Sequence, residues 1–187
     1  MTEKEKVKKG LLYNPNKDEE LIKERNICKD KCYEYNKIQP TDLEERKLKI
    51  NEILNEVGEN FLIEQPFFCD YGYNIKIGNN FYANHNLVIL DATDVTIGND
   101  VFIGPNCGIY TAGHPIDYIT RNEGIEYGKS IIIGNNVWIG GNVCILPGVK
   151  IGNNVVIGAG SVVNKDIPSN SVAVGNPCKV KKVLNYL

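Results

Sequence analysis

The chain has 187 residues, a formal net charge of −2 at neutral pH and an apolar fraction of 42%. These values are ordinary for a globular protein and allow one domain with a sizeable core. No apolar run approaches the roughly 20 residues that a membrane helix needs, and the N-terminal segment lacks the apolar core of a signal peptide. We therefore expect a cytoplasmic protein with no membrane partner, whose six cysteines stay reduced and are scattered without metal-like pairing.

Residues 1–60 are predicted to form an N-terminal α-helical cap. Thr2–Glu5 and Thr41–Glu44 both match the capping box of a helix start. Between them lies a helix that should end before Pro40. One face of this helix carries Leu21, Arg25, Cys28 and Cys32. A third helix should end near Gly58. Its predicted inward residues are Leu43, Ile50, Ile53, Leu54 and Val57.

Residues 61–187 are predicted to form β-structure that coils from about Phe67 onward. An isoleucine followed by glycine marks one phase of this coil, at Ile77, Ile97 and Ile103. The register is then lost across residues 110–130, which contain the sequence TAGHPIDYITRNEGIEYGK. Solenoid proteins carry insertions as loops on one face, and loops often carry function. We therefore expect an inserted functional loop at this point.

The repeat itself is clearest between residues 133 and 163. A β-branched residue returns every six positions, at Ile133, Ile139, Ile145, Ile151, Ile157 and Val163. A second ladder lies four residues further on, at Val137, Val143, Val149, Val155 and Ser161. A period of six is typical of a hexapeptide β-helix, in which short parallel strands form the flat sides of a prism. Glycines and paired asparagines suit its corners, where positive φ angles are needed.

The C-terminal part of the chain is basic. From residue 129 onward there are six lysines and one acid, so this part is positive by five, and it ends in a tail over residues 171–187. Such a cluster is either solvated surface or a site for a small polyanion. Nucleic acid is disfavoured as a partner, because no aromatic residues alternate with the lysines.

Several short motifs resemble those of the maltose/galactoside O-acetyltransferases. They are DYGYNI at residues 70–75, NFYAN at 80–84, TAGHPID at 111–117, GNNVWIGG at 134–141 and GNP at 175–177. The resemblance spans nearly the whole chain, including the helical cap. It implies a mainly β fold, namely a left-handed parallel β-helix of hexapeptide repeats with an N-terminal α-helical cap and an inserted loop. It also implies a homotrimer with active sites between subunits.

The same resemblance implies acetyl-CoA as the donor, a sugar hydroxyl as the acceptor and no required metal. His114 takes the position of the catalytic base, and Asp70 and Asn84 fall where acceptor contacts lie. The positions that hold CoA in the family are occupied by Gly141, Ala159, Asn164, Lys165, Lys179 and Lys182. The chain departs from the family pattern at Ala92, where the galactoside enzyme has a second acid that contacts its sugar. The identity of the sugar is therefore left open.

Each candidate residue also has a structural interpretation. Asp70 is a turn former beside a glycine, and Asn84 suits a corner of the coil. Glu126, in the same insertion as His114, is predicted to orient the imidazole through the ring nitrogen that is not used in catalysis. Trp138 either serves packing alone or, at a subunit contact, lines the tunnel for the pantetheine arm of CoA. The second histidine, His85, is assigned to the surface or to a subunit contact.

Parts of the sequence pattern are also compatible with other functions. A β-helix can also be a zinc carbonic anhydrase, but that chemistry needs three histidine ligands and this chain has two histidines. A non-catalytic interaction scaffold is the second alternative, and failure to bind CoA would favour it. Among enzymes, the alternative is acetylation of a non-sugar hydroxyl, on an antibiotic or on serine.

Overall fold

The computed structural model describes residues 1–185, and the last two residues of the predicted tail lie outside this range. The described chain contains four helices: α1 (Glu3–Lys8), α2 (Glu19–Lys37), α3 (Leu43–Ile53) and α4 (Tyr118–Asn122). The first three precede the β-structure, and α4 lies in the insertion. None of the helices in this part of the chain is both long and apolar enough to span a membrane.

The strands wind into a parallel β-helix with three faces. Face I consists of β1 (Glu56–Val57), β4 (Ile75–Ile77), β7 (Val95–Ile97), β12 (Ile131–Ile133) and β15 (Lys150–Ile151). Face II consists of β2 (Leu62–Ile63), β5 (Tyr82–Ala83), β8 (Val101–Ile103), β13 (Val137–Ile139), β16 (Val155–Ile157), β18 (Ser171–Val174) and β19 (Lys179–Val183). Face III consists of β3 (Phe67–Cys69), β6 (Leu87–Leu90), β9 (Gly108–Tyr110), β14 (Cys144–Ile145) and β17 (Val162–Val163). Only the β18–β19 pair within these faces is antiparallel. The predicted mainly β class and the β-helix are confirmed.

The six-residue period arises because each face contributes its inward residue at the same phase. Ile133 on face I, Ile139 on face II and Ile145 on face III are each 1% exposed. The second ladder is buried as well, with Val137 and Val143 at 1% exposure. Stacked coils thus bury one β-branched side chain above another, and this continuous apolar column is the main source of stability.

The corners of the prism use asparagine as predicted. Asn136, Asn154 and Asn170 all have φ between 56° and 58°. Their side chains form a ladder, in which Asn136 donates to Asn154 at 3.0 Å and Asn154 donates to Asn170 at 2.7 Å. Gly134, which precedes the Asn135–Asn136 pair, must be small, because an added Cβ would lie 2.8 Å from the backbone of Gly152. Successive coils can therefore stack without a gap.

The helical cap differs from the prediction at several points. The Thr2–Glu5 capping box forms, and α2 ends at Lys37, before Pro40. The predicted box at Thr41–Glu44 is wrong, because Asp42 is the residue that caps α3 and accepts from the Glu45 N–H at 3.1 Å. The coil begins at β1, earlier than the predicted Phe67, since β1 already pairs with β4.

The inward face of α3 was also partly mispredicted. Leu43 is 46% exposed, whereas Arg46 is buried at 3%. The Arg46 guanidinium donates to the carbonyl of Ile63 at 2.6 Å and to the Glu64 carboxylate at 2.8 Å. These acceptors belong to the first coil, so a buried charge joins the cap to the β-helix. The partners are distant in the sequence, and the apolar pattern of the helix gives no sign of them.

The cysteines are not scattered as predicted. All six are free thiols, but Cys28 and Cys32 on α2 meet Cys69 on β3 in one buried group. The spacing of Cys28 and Cys32 placed them correctly on one helix face, but the third member comes from a strand 37 residues away.

Candidate active site

The predicted insertion leaves the β-helix after β9 and returns at β12, as residues 110–130 were expected to do. It opens with β10 (Ala112–Gly113) and closes with β11 (Tyr127–Gly128), which pair antiparallel as a short hairpin. The N-terminal segment adds to this hairpin through a bridge between Tyr13 and Glu126, with backbone hydrogen bonds of 3.0 and 2.9 Å. The base of the loop is therefore held in place from both sides.

His114 follows β10 directly, and its imidazole is fixed by the loop itself. Its Nδ1 lies 2.9 Å from the carbonyl oxygen of Ile125. Because a carbonyl only accepts, this contact assigns the hydrogen of the neutral ring to Nδ1 and leaves a lone pair on Nε2. The side chain is half exposed. Its Nε2 can therefore accept a proton from a molecule bound at the surface.

Glu126 lies on the opposite side of the ring from the position that was predicted. Its Oε1 is 3.9 Å from His114 Nε2, and its Oε2 accepts a hydrogen bond from the Tyr13 hydroxyl at 3.0 Å. The expected contact to the ring nitrogen not used in catalysis is thus made by the Ile125 carbonyl instead. Burial, together with the nearby Glu126 charge, raises the pKa of Tyr13, so its hydroxyl remains a donor that holds the carboxylate.

A cavity of about 460 Å³ opens in front of His114. Asp70 lines it from the start of the turn that follows β3, and Ala92 leaves room where a larger polar side chain would project. Burial raises the pKa of the Asp70 carboxyl, and the Arg25 charge opposes this shift. The cavity is therefore lined by acids, amides and hydroxyls, which are the groups that a polyhydroxylated molecule requires.

The turn that carries Asp70 is held by a second, fully buried acid. One oxygen of Asp91 accepts hydrogen bonds from the backbone N–H groups of Asp70 and Tyr71, both at 2.9 Å. Its other oxygen is buried without a partner in the described chain. Burial raises the pKa of Asp91 to about 7, although the two N–H donors lower it. Asp91 thus positions Asp70 without lining the cavity.

Some residues of this cavity were not predicted. They are Tyr13, Asn16, Arg25, Lys29 and Tyr71. Arg25 donates to Asn16 Oδ1 at 3.0 Å and approaches the Tyr71 hydroxyl at 3.5 Å. One signal for these residues was Arg25 itself, a charge at an otherwise apolar position on the inward face of α2. The family resemblance also points to an acceptor contact within residues 14–18 without assigning a residue, and Asn16 lies in this range.

The other predicted residues lie away from His114. Asn84 follows β5, at the corner where face II turns into face III. Gly141 occupies the same corner in a higher coil, and its carbonyl accepts from the N–H of Gly160, next to Ala159. A separate cavity of about 470 Å³ lies here, lined by Tyr82, Asn84, Phe102, Ile103, Gly104 and Trp138. Trp138 is 59% exposed on face II, so it does not pack within its own chain.

The lysines form no single group within one chain. Asn164 and Lys165 are exposed at the corner that follows face III, whereas Lys179 and Lys182 are exposed on β19 at the edge of face II. In an isolated chain, Asn164 and Lys165 thus share the corner after face III with the His114 insertion, whereas Gly141, Ala159, Lys179 and Lys182 lie on other parts of the prism. A functional site that uses all of them requires a second copy of the chain.

Comparisons with known proteins agree with these features. Residues 6–58 match a maltose acetyltransferase hexapeptide capping motif, and residues 130–165 match the bacterial transferase hexapeptide repeat. A putative acetyltransferase from Saccharomyces cerevisiae is 58% identical over 94% of this chain and 90% of its own length.

Two solved structures are also close. A maltose O-acetyltransferase from Clostridium difficile 630 has a TM-score of 0.97 and 52% identity, and the match covers 100% of this chain and 99% of that one. A galactoside acetyltransferase in complex with coenzyme A has a TM-score of 0.96 and 47% identity, over 99% of this chain and 92% of that one.

Proposed function

The chain belongs to the maltose/galactoside O-acetyltransferase family of hexapeptide-repeat enzymes, and we propose that it transfers an acetyl group from acetyl-CoA to a sugar hydroxyl, with His114 as general base. As a member it is an acyltransferase. The observation that carries the proposal is the orientation of His114, whose Nε2 lone pair faces a polar cavity while Nδ1 is held by the Ile125 carbonyl.

The reaction needs a base because a sugar hydroxyl keeps its proton at neutral pH. His114 Nε2 accepts that proton as the hydroxyl oxygen attacks the thioester carbonyl of acetyl-CoA. The imidazolium that forms is stabilised by the Glu126 carboxylate, 3.9 Å away. A new C–O bond forms, the C–S bond breaks, and the CoA thiolate leaves. His114 then donates the proton that it took from the sugar hydroxyl to this thiolate. No covalent acetyl-enzyme and no metal ion take part in these steps.

The negative charge that develops on the carbonyl oxygen needs a donor. The N–H of Gly141 takes part in none of the backbone hydrogen bonds that hold the coils together in the described chain, so it is our candidate donor for the oxyanion. Asn84, at the same corner, contacts the acceptor from this side. Both residues would reach the His114 cavity from a neighbouring subunit.

The acceptor proposal follows from the lining of the His114 cavity. Asp70 offers a carboxylate, while Asn16 and Arg25 offer an amide and a guanidinium around the same space. These groups accept from and donate to several hydroxyls at once, as a sugar requires. Ala92 supplies no carboxylate, so we expect weak and tolerant recognition of several glucosides, with Michaelis constants near the millimolar end of the usual range.

The donor is proposed to lie along face II and its corner. Gly141 and Ala159 leave room for the pantetheine arm, and Trp138 gives it a flat apolar surface. The phosphates of CoA would contact Lys179 and Lys182 from one chain and Asn164 and Lys165 from another. Because the side chains are lysines rather than arginines, each contact is made by a single ammonium group and lacks the paired hydrogen bonds of a guanidinium.

The assembly is proposed to be a homotrimer with three sites between subunits. Faces II and III carry outward apolar residues, such as Phe102 and Trp138 on face II and Phe68 on face III, all about half exposed. Face I presents charged residues such as Lys76 and Lys150. An association of face II with face III of the next copy is head-to-tail, and such contacts form a ring when each one turns the next copy by about 120°. An active monomer in sedimentation experiments would contradict this arrangement.

The decisive experiment measures thiol release from acetyl-CoA with a panel of sugars, antibiotics and serine as acceptors. His114→Ala should reduce turnover by about 10²–10⁴-fold, the usual contribution of a general base, while CoA binding is unchanged. Lys76→Ala is the control, because Lys76 is exposed on face I and lines neither cavity of the proposed reaction.

The possible outcomes separate the alternatives. Release with sugars alone supports the proposal, and release only with an antibiotic or serine replaces the sugar by another hydroxyl. Near-normal turnover of His114→Ala, or an acetyl-cysteine isolated from the enzyme, would refute the base mechanism. The cytoplasmic location remains a prediction, to be checked by cell fractionation.

A further inference from the structure

Three thiols converge between the helical cap and the β-helix, outside both cavities of the proposed reaction. Cys28 and Cys32 lie one turn apart on α2, and Cys69 is the last residue of β3. The Cys69 sulfur is 3.5 Å from the sulfur of Cys28 and 3.8 Å from that of Cys32. All three ligand atoms lie within 4.8 Å of one another, and all three side chains are buried.

These separations are suited to a metal ion. In a tetrahedral zinc–thiolate site with Zn–S bonds of about 2.3 Å, two sulfurs are about 3.8 Å apart. The observed distances therefore describe one face of such a tetrahedron. A disulfide would use only two of the sulfurs, whereas a thiophilic ion uses all three.

We propose that Cys28, Cys32 and Cys69 bind one Zn²⁺ ion as three thiolate ligands, with the fourth coordination position open to a neighbouring cavity. That cavity has a volume of about 430 Å³ and is lined by Cys32, Cys69, Tyr33, Phe68, Leu90 and Lys29, among others. It provides an access path for the ion and room for a water molecule as the fourth ligand. Binding replaces the three thiol protons, which are released to solvent.

The charges around the thiols favour a divalent ion. Three thiolates carry three negative charges, so the complex keeps a net charge of −1 with Zn²⁺ and of −2 with Cu⁺. Asp70 and Lys29, which carry opposite charges, line the same cavity. Since unpaired buried charge is costly, the smaller residual charge is preferred.

The position of the site gives the ion a structural role. It would connect α2 of the cap to β3, and Asp70 of the acceptor cavity follows Cys69 directly. The same helix carries Arg25, which lines that cavity. The ion would hold the two walls of the acceptor cavity together without entering the reaction.

The test uses the full-length protein after reduction and removal of metals with a chelator. Zn²⁺ is added, unbound ion is removed by gel filtration, and the remaining metal is measured by mass spectrometry. We expect one ion per chain, and Co²⁺ in its place should give the absorption of a tetrahedral thiolate complex. Zinc should also protect three of the six thiols from alkylation. A metal content near zero, or protection of no thiol, would overturn the proposal.

Variants identify the ligands. Cys32→Ala and Cys69→Ser should each lower the zinc content at least tenfold, while Cys107→Ala, which removes a thiol of similar burial on the β-helix, should bind one ion. His114→Ala should also bind one ion, so a failed acetylation proposal leaves this result unaffected. If Cys69→Ser does not fold, Cys32→Ala and thiol protection in the unmodified protein still decide. A reduced, metal-free protein that takes up no added Zn²⁺ and forms a Cys28–Cys69 disulfide in air would refute zinc binding in favour of a redox pair.

Discussion

The buried carboxyl of Asp91 should make the stability of the protein depend on pH, and Asp91→Asn should remove this dependence. The asparagine keeps one oxygen as the acceptor for the N–H groups of Asp70 and Tyr71. It has no proton to lose between pH 4 and 8. The substitution therefore changes titration while it preserves the contacts that position Asp70.

The magnitude follows from the pKa of Asp91, which burial raises from an ordinary value of 3.8 to about 7. The folded chain therefore holds a proton that the unfolded chain releases between these values. The stabilising contribution is complete below about pH 4 and is lost as the pH rises through 7. A shift of about three units corresponds to roughly 4 kcal/mol of unfolding free energy. Because the side chain is 0% exposed, no correction for solvent screening is needed.

The assay is urea unfolding at a series of pH values between 4 and 8, at one protein concentration, because association also contributes to stability. The difference in unfolding free energy between the unmodified protein and Asp91→Asn should fall by roughly 4 kcal/mol across this range. The exposed Asp94→Asn is the control and should give a difference that barely changes. If the Asp91 difference is also constant with pH, then Asp91 is ionised throughout and the reasoning fails.

Three further predictions concern the donor, the base and the core. Lys179→Ala should raise the dissociation constant of CoA by about two- to fivefold, as expected for an exposed charge contact, with little change for the acceptor in calorimetric titration. Glu126→Gln should lower kcat by about fivefold, the effect of roughly 1 kcal/mol, with KM unchanged, whereas the exposed Glu123→Gln should leave steady-state kinetics unaltered. Ile139→Ala, at a fully buried position, should cost about 2–5 kcal/mol in urea unfolding, and a loss below 1 kcal/mol would contradict the stacked core.

The β-helix could be predicted because its information is local and repeated. Ile133 and Ile139 occupy the same phase on neighbouring faces, so one six-residue pattern specifies both burial and direction. Asn136 and Asn154 likewise mark corners through their own backbone preferences. The insertion was visible as the place where this pattern stops. Each of these features requires only a few consecutive residues, and all were confirmed.

Contacts between distant segments could not be predicted in the same way. In the sequence, Arg46 resembles an ordinary exposed charge on a helix. Its burial depends on carbonyl and carboxylate partners in the first coil, which are distant in the sequence. Cys28 and Cys32 were placed on one face, but Cys69 joins them only because β3 runs beneath α2. Asp91 carries no local sign that two backbone N–H groups converge on it. Such polar groups are determined by the tertiary fold, and a single sequence contains no period that reveals them.

The difference between local patterns and distant contacts also explains why the residues of the candidate site lie on two edges of the prism. The resemblance named His114 and Asn84 together, and the structure places them on different edges of a prism whose coils are locked by hydrogen bonds at every corner. Such a prism cannot bend to bring the two edges into contact. If both residues serve one reaction, as we propose, the second edge must come from another copy of the chain. In that assembly, the apolar outward residues of faces II and III pack between subunits. The same interface brings Asn84 of one copy to His114 of another and so completes the site.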